Sequence, residues 1–293
     1  MQKQRSGGRL LLVLVLALAW LSAAGTLHAA PAAKPAIVLT AFGTTTEAFA
    51  TYDHIEKQVK ERFSGYEVRW AFTSHKVRHK LEKEQGRKLQ DLGSVLRELK
   101  AAGVTQAAIQ SLHIVPGEEW EKKIVQVSRE VPGLKVALGK PLLSSQEDQE
   151  RTLKAIAPFL PGDPKTVALL MAHGSPVPQG ERAYLKFARL LRSRHPRAFL
   201  ASVEGKPEAK EAFAAVQKAN PDAVVLMPLM LVAGEHVQND LLGEEPDSWK
   251  SRLLKQKPYR IEGITKGLGY VNGVVDIFLD HLAQALKELE GKK

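Results

Sequence analysis

The sequence predicts an α/β protein of two similar lobes, each a parallel sheet flanked by helices. Three observations carry this reading. Strand-like runs alternate with amphipathic helical stretches, a Pro/Gly cluster at Leu160–Pro164 interrupts the chain, and the two halves repeat each other's strand ends. Alternation of this kind feeds βαβ crossovers, which pair strands in parallel and bury them between helices.

Taken in order, Ala36–Ala41 is a short apolar run, followed by a Gly/Thr loop and helical periodicity over Ala48–Phe63. Glu67–Thr73 reads as a strand, Leu89–Ala102 as a helix stopped by Gly103, and Ala107–Val115 as a strand. Glu119–Val131 has helical spacing, Val136–Leu138 is a further short strand, and a helix runs from Ser144 to about Phe159. After the breaker cluster the pattern restarts. Thr166–Met171, Ala198–Val203 and Ala223–Val232 are strands, Gly180–Arg194 and Glu208–Asn220 are helices, and Val271–Leu289 is a long amphipathic helix. The expected division is a leader at 1–30, a first lobe at 31–162, and a second lobe at 163–293 ending in that helix.

Composition limits the chemistry. The 293 residues contain no cysteine, which excludes disulfides, cysteine-ligated zinc or iron–sulfur centres and thiol catalysis. Any metal must therefore be taken by nitrogen and oxygen ligands. The formal net charge of +10 calls for an acidic partner. Lys3, Arg5 and Arg9 precede the 12-residue apolar run Leu10–Leu21, and small residues follow to Ala30. This is the layout of a secretory leader, too short for the roughly 20 residues of a membrane span. Cleavage after Ala24, Ala29 or Ala30 brings the charge from +10 to +7 and leaves no later span. The expected location is the periplasm, where nucleic acid is a poor partner. A homo-oligomer is compatible with everything in the sequence.

The match between halves points to a site. AIVLTAFGTTTEAF resembles VALLMAHGSPVPQG, and HIVPGEEW resembles MLVAGEHV. The second half thus carries His173, Glu204 and His236 at three strand ends where the first carries Phe42, Thr73 or Ser74, and Glu119. Ligands of parallel sheets gather outside the carboxyl ends of the strands, so the three can converge. Two imidazoles and a carboxylate suit a divalent first-row ion such as cobalt, iron, nickel or zinc. Asp240, four residues after His236, is placed to orient its ring.

Phe42-Gly43-Thr44-Thr45, the segment Ser111–Glu119, Ala172-His173-Gly174-Ser175, Val203-Glu204-Gly205 and Gly234-Glu235-His236 together resemble the anaerobic, CbiK-type sirohydrochlorin cobaltochelatases, relatives of the class II ferrochelatases. The resemblance runs from Ala36 to Leu289 and implies a tetrapyrrole cleft between the lobes. It also implies metal held by His173 and His236 with Glu204 nearby, and insertion of Co²⁺, or Fe²⁺, into sirohydrochlorin. The leader is the departure, because cobalamin-pathway chelatases work in the cytoplasm. No phosphate-binding G-x-x-x-x-G-K-[ST] loop is present, so no ATP is implied.

Sirohydrochlorin carries eight carboxylates, and Lys76, Arg78, His79 and Lys80 are candidates to meet them or simply a solvated face. His113, at a first-lobe strand end, is a candidate cleft residue for the tetrapyrrole, with burial against the other lobe as its alternative. His75 and His79 read as surface, and His54, His195 and His281 as structural. Two alternatives to the enzyme stay open: an exported carrier of a tetrapyrrole, haem or metal in the same cleft, and a plain two-lobed solute-binding protein.

Overall fold

Ala36–Ala41 (β1) is buried at every position, as a strand covered on both faces must be. In the computed structural model, which describes residues 34–291, β1 pairs in parallel with Val68–Phe72 (β2) and Gln106–Ser111 (β3), and β3 pairs with Lys135–Gly139 (β4). The order is β2-β1-β3-β4. Thr166–Gly174 (β5), Ala198–Glu204 (β6), Ala223–Pro228 (β7) and Arg260–Gly263 (β8) form a second parallel sheet in the order β6-β5-β7-β8. The two orders are the same, so the repeat seen in the sequence extends to topology. The leader expected at 1–30 lies outside the described residues.

The helices are Ala50–Arg62 (α1), His75–Gln85 (α2), Leu92–Ala101 (α3), Gln146–Ile156 (α4), Pro178–Arg194 (α5), Ala209–Ala219 (α6), Trp249–Gln256 (α7) and Asn272–Leu289 (α8). Side-chain caps set several starts: Ser74, Asp91, Ser145 and Ser248 each accept from a backbone N–H in the first turn of α2, α3, α4 and α7. The strand β8 and the helices α2 and α7 go beyond the elements read from the sequence. The helix expected over Glu119–Val131 is instead a π-helical turn at Trp120–Val125 followed by a 3₁₀ turn at Val127–Arg129. The second lobe has its own π turn at His236–Leu241, the matching place after its third strand.

Period-two alternation along the central strands explains how the lobes join. Ile37, Leu39 and Ala41 of β1 and Ala168, Leu170 and Ala172 of β5 face one shared core. Val38 turns instead to a first-lobe core with α3, and Val167 and Leu169 to a second-lobe core with α6 and α7. The last helix, which the sequence places at the end of the second lobe, packs on β3 and β4 of the first sheet. Its buried residues Val274, Val275, Phe278, Leu282 and Leu286 belong to the shared core. Asp280 on α8 accepts from Arg62 of α1 and Arg151 of α4, each at 2.5 Å, pinning three helices together. The division expected at 162 therefore separates the sheets, while the final helix fastens the second half onto the first.

Candidate metal and tetrapyrrole site

The carboxyl ends of both sheets open onto one cavity of about 450 Å³, within the range of small-molecule sites. Its walls come from the loops after β1, β3, β5 and β7, together with Glu204 at the end of β6.

Backbone geometry positions the second-lobe wall. His173 is the penultimate residue of β5, and Gly174 closes the strand in register with Glu204 of β6. Gly174 has φ +100°, and a Cβ there would lie 1.8 Å from the Glu204 carbonyl oxygen. Only glycine lets the two strand ends run so close. The buried Tyr184 ring on α5 is hydrogen-bonded to the Gly174 backbone, and Tyr52 on α1 makes the matching bond to Gly43. Burial pushes both phenols above their ordinary pKa. Each lobe thus anchors its first strand-end turn in the same way.

His173 and His236 are brought together. Their ring centroids are 4.9 Å apart at an interplanar angle of 85°. His236 opens the second-lobe π turn, and its Nδ1 lies 2.5 Å from Asp240 Oδ2. A carboxylate only accepts, so Nδ1 carries the proton, and Nε2 is the nitrogen left to face the cavity as a ligand. Burial holds His173 below its ordinary pKa, reinforced by His236 and opposed by Glu204 and Glu119. At neutral pH it is therefore an uncharged imidazole, able to ligate a cation or accept a proton.

Glu204 lines the same cavity but is exposed at the rim. Among the described residues no group of three or more His, Asp or Glu side chains is gathered tightly enough to hold an ion. Of the set expected from the sequence, His173 and His236 meet ring to ring, and Glu204 shares their cavity, its charge acting on His173. The strand register fixes where the Glu204 backbone ends, and its side chain stays in solvent.

His113 lies on the first-lobe wall. Its ring nitrogens meet Ser111 Oγ at 3.0 Å and Thr73 Oγ1 at 3.4 Å. It keeps some surface open to the cavity, yet its packed surroundings lower its pKa to about 4. It is an uncharged group on the cavity wall, held by Ser111 and Thr73. Among the other histidines, His281 bridges Lys140 and Asp148 at the α8–α4 contact, a structural role.

Two further residues complete the cavity. Glu119, the counterpart of His236, is half-buried, and its Oε2 is sealed from solvent with no hydrogen-bond partner. Its charge is felt at His173. The internal match placed Glu119 opposite His236, but its orphaned oxygen is visible only in three dimensions. Phe42, the counterpart of His173, is 45% exposed and stands 6.4 Å from that ring. An exposed aromatic on a cavity wall is a natural platform for a flat apolar ring.

A sequence model of the cobalt chelatase (CbiK) family matches residues 35–287. The chain belongs to this family. It is 34% identical over 266 residues to the sirohydrochlorin cobaltochelatase CbiKC of Nitratidesulfovibrio vulgaris, covering 89% of this chain and 93% of that protein. The sirohydrochlorin cobaltochelatase of Salmonella typhimurium is 30% identical over 261 residues, covering 86% and 97%. Among solved structures, the sirohydrochlorin chelatase SirB of Bacillus subtilis subspecies spizizenii in complex with cobalt aligns with TM-score 0.58 and 16% identity, over 88% of this chain and 98% of that one. SirB from Bacillus subtilis with Fe³⁺ aligns with TM-score 0.60 and 17% identity over the same shares. At that identity the structural likeness shows the fold: two α/β lobes of the chelatase kind.

Proposed function

We propose that this cobalt chelatase family member inserts Co²⁺ into sirohydrochlorin without ATP, using His173 and His236 to present the ion. The observation that carries this is the pair of imidazoles meeting edge to face on one wall of the shared cavity. Two histidines supply enough nitrogen to strip part of a divalent ion's water, yet leave the ion free to be handed on. The ion is substrate here, held until the ring takes it.

Insertion also releases two pyrrole N–H protons, which need acceptors within reach of the ring. Glu119 and Glu204 lie on opposite walls, and both act on the charge state of His173. A carboxylate whose buried oxygen has no donor, as in Glu119, is suited to take one. His173 becomes a second acceptor once the ion has left it. Phe42 supports the macrocycle face and His113 hydrogen-bonds to it from the first lobe. Fe²⁺ is the competing ion for the same ligands. The basic leader followed by its apolar run supports a periplasmic setting, which fractionation of cells expressing the full chain tests.

The deciding assay is absorbance of sirohydrochlorin on addition of Co²⁺ or Fe²⁺, with wild type beside His173→Ala and His236→Ala. Each variant is expected to lose about a hundredfold or more in rate, the scale of removing a positioned catalytic group. Unchanged rates in both variants remove the assignment. A wild type that binds the ring or haem without turnover points to a carrier instead.

A further inference from the structure

Glu235, immediately before His236, reaches across the seam between the lobes. Its Oε1 accepts from Lys80 Nζ at 3.1 Å and from Thr45 Oγ1 at 3.0 Å, and both donors belong to the first lobe. Thr45, Glu235 and His236 all line the cavity, so this bridge sits on its rim. Lys80 is drawn there from the basic run on α2, whose Arg78 turns instead to Asp91 at 3.3 Å.

The bridge is not demanded by the fold. At the matching place in the other half, Glu118 pairs with Lys122 of its own π turn, and Pro176 stands where Thr45 stands in the first lobe. The seam itself is held by closer contacts. A Cβ on Gly234 would lie 2.9 Å from Thr44 Oγ1, and one on Gly117 would lie 3.1 Å from Ser175 Oγ. The side chains of Lys80 and Glu235 are 46% and 58% exposed, and pairs so placed add little to stability. What the bridge does is present an ammonium and a hydroxyl to one carboxylate at the edge of the cavity.

We propose that Lys80 Nζ and Thr45 Oγ1 form a subsite for a peripheral carboxylate of the macrocycle, which Glu235 occupies while the cleft is empty. The inference rests on the reading that the cavity takes an acidic tetrapyrrole. Arrival of the substrate exchanges one carboxylate for another at an exposed pair of donors. It also leaves the Glu235 carboxylate, already charged, without its ammonium partner beside the residue that presents the ion. Glu235 therefore competes with substrate, and Lys80 recruits it.

This makes the two halves of one ion pair act in opposite directions, which a purely structural bridge cannot do. Steady-state insertion of Co²⁺ into sirohydrochlorin should show KM for the ring raised about fivefold in Lys80→Met, the loss of one exposed charge-assisted contact. Glu235→Gln should lower that KM by about twofold or more, since its neutral amide is a poorer competitor for Lys80. Direct titration of sirohydrochlorin without metal, followed by absorbance, should shift in the same two directions. The octamethyl ester of the ring should bind Lys80→Met and wild type alike. Both variants raising KM, or neither moving it, overturns the subsite, and melting temperatures confirm that each variant is folded. If wild type neither binds nor turns over sirohydrochlorin, the underlying reading fails and the subsite falls with it.

Discussion

His173 and His236 come from different strand ends yet meet with ring centroids 4.9 Å apart, nearly perpendicular. One is the penultimate residue of β5; the other opens a π turn after β7. The parallel pairing of β5 with β7 sets the separation of these ends, and the wider π turn carries the second imidazole toward the first. The pair is a product of sheet register.

Asp240 sets the tautomer of His236 through the 2.5 Å contact at Nδ1. Asp240→Ala leaves the ring present but free to turn and to carry its proton on either nitrogen. The expected result is a 10–100-fold loss in Co²⁺ affinity or insertion rate, the usual effect of removing a ligand's orienting partner. Asp240→Asn, which can still accept through its amide oxygen, should recover part of it. Calorimetric titration with Co²⁺ alone separates this from any effect on the ring.

Glu119 is tested by Glu119→Gln. The amide keeps the shape and removes the proton acceptor, so kcat should fall about tenfold or more while Co²⁺ affinity changes little. The substitution also takes away a negative charge felt at His173, whose pKa should drop further. Its ring resonances, followed by NMR against pH, should report that shift. A kcat equal to wild type excludes Glu119 as an acceptor.

His113 makes folding stability depend on pH. Its pKa is about 4 in the folded chain against about 6.5 for an unperturbed histidine, so the unfolded chain binds the extra proton first. Stability from this residue is complete above about pH 6.5 and is lost as pH falls toward 4, by up to about 3 kcal/mol. Urea midpoints at pH 7 and pH 4.5 should differ less in His113→Gln than in wild type. An equal difference in both removes His113 as the cause.

Gly174→Ala should be far more damaging than Gly86→Ala, although both glycines have positive φ. At Gly86 nothing lies within 4 Å of an added Cβ, so the cost is backbone strain of about 1 kcal/mol. At Gly174 the same atom would strike the Glu204 carbonyl at 1.8 Å, forcing β5 and β6 apart. A loss of about 3 kcal/mol or more in stability, with insertion abolished, is expected from that displacement. Melting curves and the sirohydrochlorin assay on the two variants make the comparison.

Much of the site is visible in the sequence because strand ends repeat between halves. Phe42 against His173 and Glu119 against His236 are differences at aligned positions, and parallel sheets place such positions around one opening. The elements that escaped have weak local patterns. α2 buries little beyond Leu81, so its apolar period is faint, and β8 is a four-residue edge strand, RIEG, with mostly exposed side chains. The π turns follow Gly117-Glu118-Glu119 and Gly234-Glu235, where spacing alone reads as ordinary helix.

By itself the sequence determined the two-lobed parallel architecture, the absence of thiol ligands and the two histidines, because periodicity and composition are properties of the chain read locally. Tertiary structure decided what depends on side-chain torsions and on contacts between distant segments. It brought His173 to His236 while leaving Glu204 in solvent, stranded the Glu119 oxygen, and laid α8 across the first sheet. An apolar stripe states that a helix must be buried but not against which sheet, and a strand end locates a backbone but not where its side chain points.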